Sequence, residues 1–509
     1  YYYFNSRFIY YQGVYEGKEI FLPQSYGVDP EEYGVGIQDI AEDSDWYILG
    51  TDEFSDSLLN LYNLWIRLEN ITDSIYVDSM YQSLRSAHAN SIGSGEYIPM
   101  EWNIKKYIQG KLIYHMSPLT RVKYALISDN VEYQDYDRMY RLNPKGNLQR
   151  KRQGITHIIN LNHSFNQTTY FNLGLSQFTK EYSHSTFEDM GDYIHGTLAV
   201  PPNGYSFLPG GSNNNLFSRN TSTSSCKFDL ISQINPVNQV KIGTEYRQHQ
   251  LDYKDVNLQP PVALTTIDQF YESPLLIDPQ IMPDSSIHTS RYHFEPFEFS
   301  VYLQDKVELS DLIINAGIRF DYFDPKGRVL RDPTDPSIYN PIKPDNRFHD
   351  NNENGVQNND EPDVTVSERE LYWYKATTPK TAISPRLGVS FPFSDKGVIH
   401  FSYGHFFQIP RFELLYANSD FDLGQGTGNV GIIGNADLRP ERTVSYEVGI
   451  QQILTNYVSM DATIYLRDIR NLTGTRSDEI IIFGGASTYN KYENFDFAFV
   501  RGFVLSFNS

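Results

Sequence analysis

Residues 350–361 have the residue types and the spacing of a calcium-binding loop. The segment from Asp350 to Glu361 reads Asp-x-Asn-x-Asn-Gly, followed by five residues and a final Glu. In such loops the side chains at positions 1, 3 and 5, the backbone carbonyl at position 7 and a bidentate Glu at position 12 bind the ion. The predicted Ca2+ ligands are Asp350, Asn352, Asn354, the carbonyl of Val356, Asn358 directly or through water, and Glu361.

The same loop has an alternative interpretation as an Asn-rich surface loop without an ion. Pro344 precedes it and Pro362 follows directly, so no helix–loop–helix sensor is predicted. Five carboxylates fall within residues 350–363, however, and they repel one another unless a cation or solvent separates them. An oxygen-only ligand set suits calcium better than zinc, which favours His and Cys.

No motif in the chain predicts catalysis, and the protein is predicted not to be an enzyme. Nucleophile elbows, His-Glu-x-x-His helices and phosphate-binding loops are absent from the sequence. One cysteine, Cys226, excludes an intrachain disulfide and a cysteine-based zinc cluster. The chain has 42 Lys and Arg against 63 Asp and Glu, a formal charge of −21, which argues against nucleic acid as a partner.

Alternation of apolar and polar residues with a period of two dominates the sequence and predicts β-strands. One face is apolar and is predicted to contact lipid: Phe299, Val301, Ile314, Ile318, Val448, Ile450, Ile464 and Leu466. The opposite face carries charges that are predicted to line a lumen: Glu298, Arg319, Asp321, Glu447, Asp461 and Arg467.

Short turns and long polar segments alternate along the chain. We expect the short turns to lie together at one end: Ser117–Thr120, Asn235–Asn238, Glu308–Asp311, Ser394–Gly397 and Thr455-Asn456. Long segments near 183–223, 324–381 and 409–441 should cluster at the other end. This asymmetry is typical of outer-membrane β-barrels, which have short periplasmic turns and long extracellular loops.

The predicted fold is therefore all-β: an antiparallel up-and-down transmembrane β-barrel with long extracellular loops and a short helical insertion near residues 53–90. Its predicted parts are a barrel strand in 1–15, a long polar loop with short helices in 16–103, and barrel hairpins in 104–509. A large soluble β-protein is the alternative. No run of eighteen apolar residues occurs, so no transmembrane helix is predicted.

Several segments, in this order, resemble TonB-dependent outer-membrane receptors. Residues 300–309 followed by 315–321 resemble a mid-barrel hairpin of that family, and residues 383–388 are similar to another strand start. Residues 406–416 resemble its aromatic-Pro-x-x-x-x-Leu-Tyr stretch. Residues 435–443 and 446–449 then follow as they do in the family. The order and spacing of these matches together are specific.

The resemblance implies an active-transport receptor in a bacterial outer membrane. Such a receptor lies in outer-membrane lipid, binds a scarce extracellular solute and imports it past a plug domain, powered by the TonB energy transducer of the inner membrane. Neither the plug nor the transducer-binding motif is recognised here. About 14–15 strands are predicted where the family has about 22, so we expect the functional barrel to contain more strands than this chain provides.

Two other functions remain open from the sequence. A receptor-like barrel could act as a scaffold or binding component, for instance with a surface lipoprotein on its large loops. A passive channel without a plug is the third possibility.

Overall fold

The computed structural model describes residues 1–19, 22–23, 93–193, 211–259, 280–283, 286–421, 423, 428–455, 457–475 and 478–508. Fourteen long strands dominate these residues, because their side chains alternate between the two faces of a sheet. They are Tyr2–Gln12 (β1), Trp102–Ser117 (β2), Thr120–Gln134 (β3), Gln149–Ser164 (β4), Thr169–Ser185 (β5), Asn215–Gln233 (β6), Asn238–Asn257 (β7), Phe297–Leu309 (β8), Leu312–Asp324 (β9), Lys380–Ser394 (β10), Gly397–Gln408 (β11), Glu441–Thr455 (β12), Val458–Thr475 (β13) and Ser487–Asn508 (β14).

Shorter elements lie in the connections. Glu16–Lys18 pairs with Tyr97–Pro99, and Arg328–Leu330 pairs with Tyr374–Ala376. Three further short strands extend the main sheet: Thr289–Phe294, Gly428–Ile433 and Ile480–Ile482. The helices are Pro344–Arg347 (α1), Val366–Trp373 (α2) and Phe412–Tyr416 (α3), with 3-10 turns at Arg138–Tyr140, Pro144–Gly146, Met190–Asp192 and Phe483–Gly485. The helices predicted near 53–90 lie outside the described residues.

The fourteen strands form one antiparallel up-and-down sheet in which each strand pairs with the next along the chain. This confirms the predicted all-β architecture and its strand number. Within the described residues β1 and β14 do not pair with each other, so the sheet is not closed. No helix among these residues is long and apolar enough to cross a membrane.

The short turns lie together at one end of the sheet, as the sequence predicted. Backbone hydrogen bonds join neighbouring turns directly: Ser164 N to Leu119 O at 2.9 Å, Gln233 N to Thr168 O at 2.9 Å, Glu308 N to Val237 O at 2.8 Å and Ile453 N to Lys396 O at 2.7 Å. Thr455 ends β12 at the same end, and Asn456 lies outside the described residues. The long segments consequently leave from the opposite end, the loop end.

The outer face carries a continuous apolar belt. Directly paired residues share a face, and one such row runs over consecutive strands: Leu112, Tyr124, Ile159, Leu175, Cys226, Tyr246, Phe299 and Tyr322. All eight residues predicted to contact lipid lie on this face. Val448 pairs with Ile464, and these side chains are 51% and 63% exposed. Among the residues that the structure describes, no second sheet packs on them, as expected for a surface that faces hydrocarbon.

Replacing Ile464 with Arg should cost about 2–4 kcal/mol of folding stability in a bilayer, because the charge would enter the apolar belt. The adjacent Thr463 lies on the inner face, so Thr463→Arg is the matched control and should cost much less. Unfolding free energies of both variants in lipid vesicles measure the difference. Equal costs would contradict the assignment of the two faces.

Candidate functional site

Three long segments at the loop end fold together around one hydrophobic core, which we call the loop core. Its buried members come from residues 324–380, 409–441 and 475–490: Leu330, Ile338, Trp373, Phe421, Leu423, Ile433, Ile482 and Tyr489. Trp373 and Ile433 are 5% and 1% exposed, and Tyr489 is fully buried. The indole N–H of Trp373 donates to the carbonyl of Pro336 at 3.3 Å. The segments within residues 324–380, 409–441 and 475–490 therefore form one folded unit at the loop end of the sheet, which we call the loop module.

Residues 411–421 and 428–438, which we call the crossing segment, contact strands that are not neighbours of β11. Glu413 pairs with Arg219 of β6 at 2.8 Å, and the ring of Phe412 lies 4.9 Å from that of His249 of β7. Tyr416 is 1% exposed and stacks on Phe294 at 4.2 Å. The crossing segment therefore contacts the inner face of both β6 and β7.

An ion pair holds the far end of the crossing segment. Lys380 at the start of β10 contacts the Asp437 carboxylate at 2.6 Å, and Thr378 donates to the same oxygen. Burial raises the pKa of Asp437, but the hydrogen bonds from Lys380 and Thr378 outweigh it and hold the pKa below its usual range. This attachment is therefore complete at neutral pH, and it weakens only as the pH falls through the lowered pKa.

The first half of the predicted calcium loop winds around the Asp350 carboxylate. That carboxylate accepts hydrogen bonds from the backbone N–H of Asn354 at 3.1 Å and of Gly355 at 2.7 Å. The Asn352 side-chain oxygen also accepts from Asn354 N, at 3.1 Å. Gly355 has a φ of +73°, which fits the glycine required for the sharp turn at position 6. Asp350, Asn352 and Asn354 are thus brought together.

The second half of the loop returns to its beginning through Glu361. Glu361 is 3% exposed, and its carboxylate accepts hydrogen bonds from Asn351 N at 3.0 Å and from Asn358 N at 2.9 Å. The Asn358 side chain donates to it as well, at 3.1 Å. Val356 is 64% exposed, and its N–H donates to the Asn354 side-chain oxygen at 2.7 Å. Carboxylate oxygens that accept one hydrogen bond keep a further lone pair for a cation.

Within the part of the chain that the structure describes, no three His, Cys, Asp or Glu side chains are grouped as metal ligands. The predicted calcium set depends on Asn oxygens and a backbone carbonyl beside only two carboxylates, so it is a different kind of group. The calcium site stays a prediction.

The inner face of the sheet is polar, as predicted for a lumen wall. Arg319 contacts Asp321 at 2.7 Å and Glu245 of β7 at 3.8 Å. Glu298 accepts from His249 at 3.0 Å. Arg467 and Glu447 approach to 3.5 Å across β12 and β13. Asp461 lies in line on β13, where it accepts from Thr463 at 3.1 Å.

Three inward-facing rings lie flat on glycines of the neighbouring strand. A Cβ at Gly243 would come within 2.3 Å of the Tyr302 ring, and one at Gly449 within 2.4 Å of His400. The ring of Tyr465 covers Gly502 in the same way. Because the glycines leave room for them, these rings rest against the wall instead of projecting into the lumen.

Sequence reasoning did not identify the crossing segment or the loop core. The sequence marks residues 406–416 as a stretch that resembles the family, and Phe412, Leu415 and Tyr416 within it have the spacing of one face of a short helix. The aromatic residues clustered in residues 406–416 are the signal from which a folded loop could have been predicted. The residues of β6 and β7 that this loop contacts are too distant in sequence to be inferred from that signal.

Comparison with known proteins matches a family model described as "TonB dependent receptor-like, beta-barrel" over residues 113–509. The comparison with curated proteins found no significant match. The outer membrane transporter YddB from Escherichia coli is similar in structure, with a TM-score of 0.50 and 12% identity over 82% of this chain and 46% of that chain. At this identity the likeness supports the fold alone.

Two further solved structures are similar at lower scores. The siderophore receptor PirA from Pseudomonas aeruginosa has a TM-score of 0.46 and 11% identity, covering 79% of this chain and 53% of that chain. A FrpB iron transporter from Neisseria meningitidis has a TM-score of 0.49 and 13% identity, covering 82% and 51%. The present chain spans about half the length of the solved structures that it matches.

Proposed function

This chain belongs to the TonB-dependent receptor-like β-barrel family of the bacterial outer membrane, and on that premise we propose that it is the barrel part of a receptor that imports a scarce extracellular solute. The family consists of transport receptors. We further propose that TonB powers this import, that a plug gates the barrel and that the protein catalyses no reaction.

The observation that carries this proposal is the division of one sheet into two faces with different chemistry. An apolar belt covers the outer face of successive strands, whereas glycines, serines and paired charges cover the inner face. Such a sheet suits hydrocarbon outside and a polar path inside. The unpaired edges of β1 and β14 would be costly in hydrocarbon, so we expect further strands to pair with them.

A deletion strain tests the function. Growth is compared with each candidate class as the limiting nutrient: an iron chelate, a cobalamin, a glycan or a peptide. Loss of growth on one nutrient, restored by the full-length gene, supports solute import. Uptake that persists without TonB would favour the passive channel, and unimpaired growth on every nutrient would contradict import.

The folded loop module keeps the scaffold alternative open. A module with its own core presents a defined surface on which a partner such as a surface lipoprotein could dock. Stable co-purification of one partner with the intact protein, lost after replacement of residues 328–376 and unaccompanied by any uptake defect, would favour this second function.

We also propose that residues 350–361 bind Ca2+ through Asp350, Asn352, Asn354, the Val356 carbonyl, Asn358 and Glu361. Support comes from the way Asp350 and Glu361 are drawn to the same end of the loop, since Glu361 bonds the residue next to Asp350. With only two carboxylate ligands the affinity should be that of extracellular modules, with a dissociation constant of roughly 10⁻⁴–10⁻³ M.

Calcium at several millimolar should slow proteolysis within residues 350–363, because the bound ion orders the loop. The Glu361→Gln variant should lose this protection, since the bidentate ligand is gone. Asp363→Asn is the matched control, because Asp363 lies outside the proposed ligand set. Magnesium at the same concentration should protect less. Equal protection of the wild type and Glu361→Gln would remove the calcium site.

A further inference from the structure

The inner face of the first six strands carries an excess of positive charge. Register places ten Lys and Arg on it but only two Asp, in a chain whose net charge is −21. The cations are Arg7, Lys105, Lys111, Arg121, Lys123, Arg150, Arg152, Lys180, Arg219 and Lys227, and the acids are Asp129 and Asp229. The inner face of β7–β12 is balanced by comparison, with six Lys and Arg against seven Asp and Glu.

Six of these cations form a cluster near the loop end, which we call the rim cluster: Arg7, Lys105, Arg150, Arg152, Lys180 and Arg219. One transverse row of it alternates Arg and Tyr over four strands: Arg152, Tyr182, Arg219 and Tyr253. Since neighbouring strands are roughly 4.8 Å apart, this row spans about 14 Å.

The rim cluster lies at or beyond the edge of the apolar belt that faces the loop end. The outer face at this height carries a polar row over five strands: Asn130, Gln153, Glu181, Asn220 and Asp252. Polar side chains on the outer face mark the level where the strands leave hydrocarbon. The rim cluster therefore lies outside the apolar belt, on the side of the sheet from which a solute at the loop end would arrive.

Local carboxylates neutralise only part of the rim cluster. Arg152 lies 3.9 Å from Asp129, Arg150 lies 3.2 Å from Asp135, and Arg219 pairs with Glu413 of the crossing segment. Among the described residues no carboxylate lies within salt-bridge distance of the other three: Arg7, Lys105 and Lys180. The Arg152 and Arg219 side chains stay 46% and 41% exposed, so both guanidinium groups are open to further hydrogen bonds.

We propose that the rim cluster binds a polyanionic solute, one that carries several carboxylate or phosphate groups. The inference rests on the proposed transport function and names the substrate class of the same lumen. Guanidinium and ammonium groups bind carboxylate and phosphate oxygens by charge-assisted hydrogen bonds. A wall of one charge sign in a cleft also raises the local concentration of its counter-ion, which speeds capture of a scarce anion. A protein segment with an acidic face is the competing occupant.

Calorimetric titration of the purified full-length protein tests this with three probes: citrate, pyrophosphate and the uncharged sugar maltotriose. Citrate or pyrophosphate should bind and maltotriose should not, and added salt should weaken the binding because it screens the charges. The Arg152→Gln, Lys180→Gln double variant should bind the anion about tenfold more weakly. Asp129→Asn should bind it more tightly, since a repelling carboxylate is removed.

The matched control is the Lys306→Gln, Arg386→Gln double variant, which removes two inward cations from the balanced part of the wall and should leave the affinity unchanged. Equal binding by both double variants, or binding of maltotriose as tight as that of the anions, overturns the proposal. If the Arg152→Gln, Lys180→Gln double variant lost thermal stability but still bound the anion, the rim cluster would bind a protein segment instead of a solute. That result would also overturn the proposal. Anion binding without any uptake would leave the rim site standing and reject transport alone.

Discussion

Replacing Trp373 with alanine is expected to destabilise the loop module by about 3–5 kcal/mol, the usual cost of removing a buried Trp side chain. Trp373 ends helix α2, is 5% exposed and packs in the core that three distant segments share. The cavity would therefore loosen residues 428–433 and 480–489 as well as its own segment. Native-state hydrogen exchange on the full-length protein measures the loss of protection in each segment.

The neighbouring Leu371 provides the control for this substitution. It lies on the same helix but is 85% exposed, so Leu371→Ala should change stability by less than about 0.5 kcal/mol. Amides of β4 to β7 near the short turns should keep their protection in both variants. If Trp373→Ala loosened only residues 328–376, the three segments would not be stabilised by a common core.

The strands and their faces were predictable from sequence because each strand repeats its own pattern. In β8, Phe299 and Val301 point outward while Glu298 and Ser300 point inward, and no distant residue is needed to see this. The positions of the short turns follow from the same pattern. An apolar outer face with charged inner residues also excludes an ordinary soluble core, so the membrane assignment followed from local information.

The loop module could not be predicted in this way. Trp373, Ile433 and Tyr489 meet in one core although up to 116 positions separate them, and no period in the sequence connects them. The rim cluster was hidden for a related reason. Its cations come from different strands, and only the register between strands shows that Arg152 and Arg219 share a row with Tyr182.

The calcium loop could be predicted from sequence in part. Its ligand spacing is local, so Asp350, Asn352 and Asn354 could be identified from sequence, and the structure brings them together. The burial of Glu361 was not foreseen, because it depends on hydrogen bonds with Asn351 and Asn358 that the motif does not specify. Local spacing thus predicted which residues could bind, but not how tightly the loop is packed.

Replacing Asp335 with alanine is the second change expected to disrupt the loop module strongly. The Asp335 carboxylate is 1% exposed and accepts three hydrogen bonds: from Ile342 N at 2.7 Å, Lys343 N at 3.1 Å and the Asn346 side chain at 2.8 Å. Without it, three donors would lose their partner around a carboxylate that is itself almost fully buried. Each unsatisfied buried donor costs about 1–3 kcal/mol, so a total loss of at least about 3 kcal/mol is expected.

Two further variants separate this hydrogen-bonding role from a general effect of charge. Asp335→Asn keeps the shape and one acceptor oxygen, so it should lose less stability than Asp335→Ala. Asp345→Ala removes an exposed carboxylate ten residues away and should be nearly neutral. Urea-dependent proteolysis of residues 332–376 in the full-length protein ranks the three. If Asp345→Ala proved as destabilising as Asp335→Ala, net charge and not the buried carboxylate would control this segment, because the two variants remove the same charge but only one removes the three hydrogen bonds.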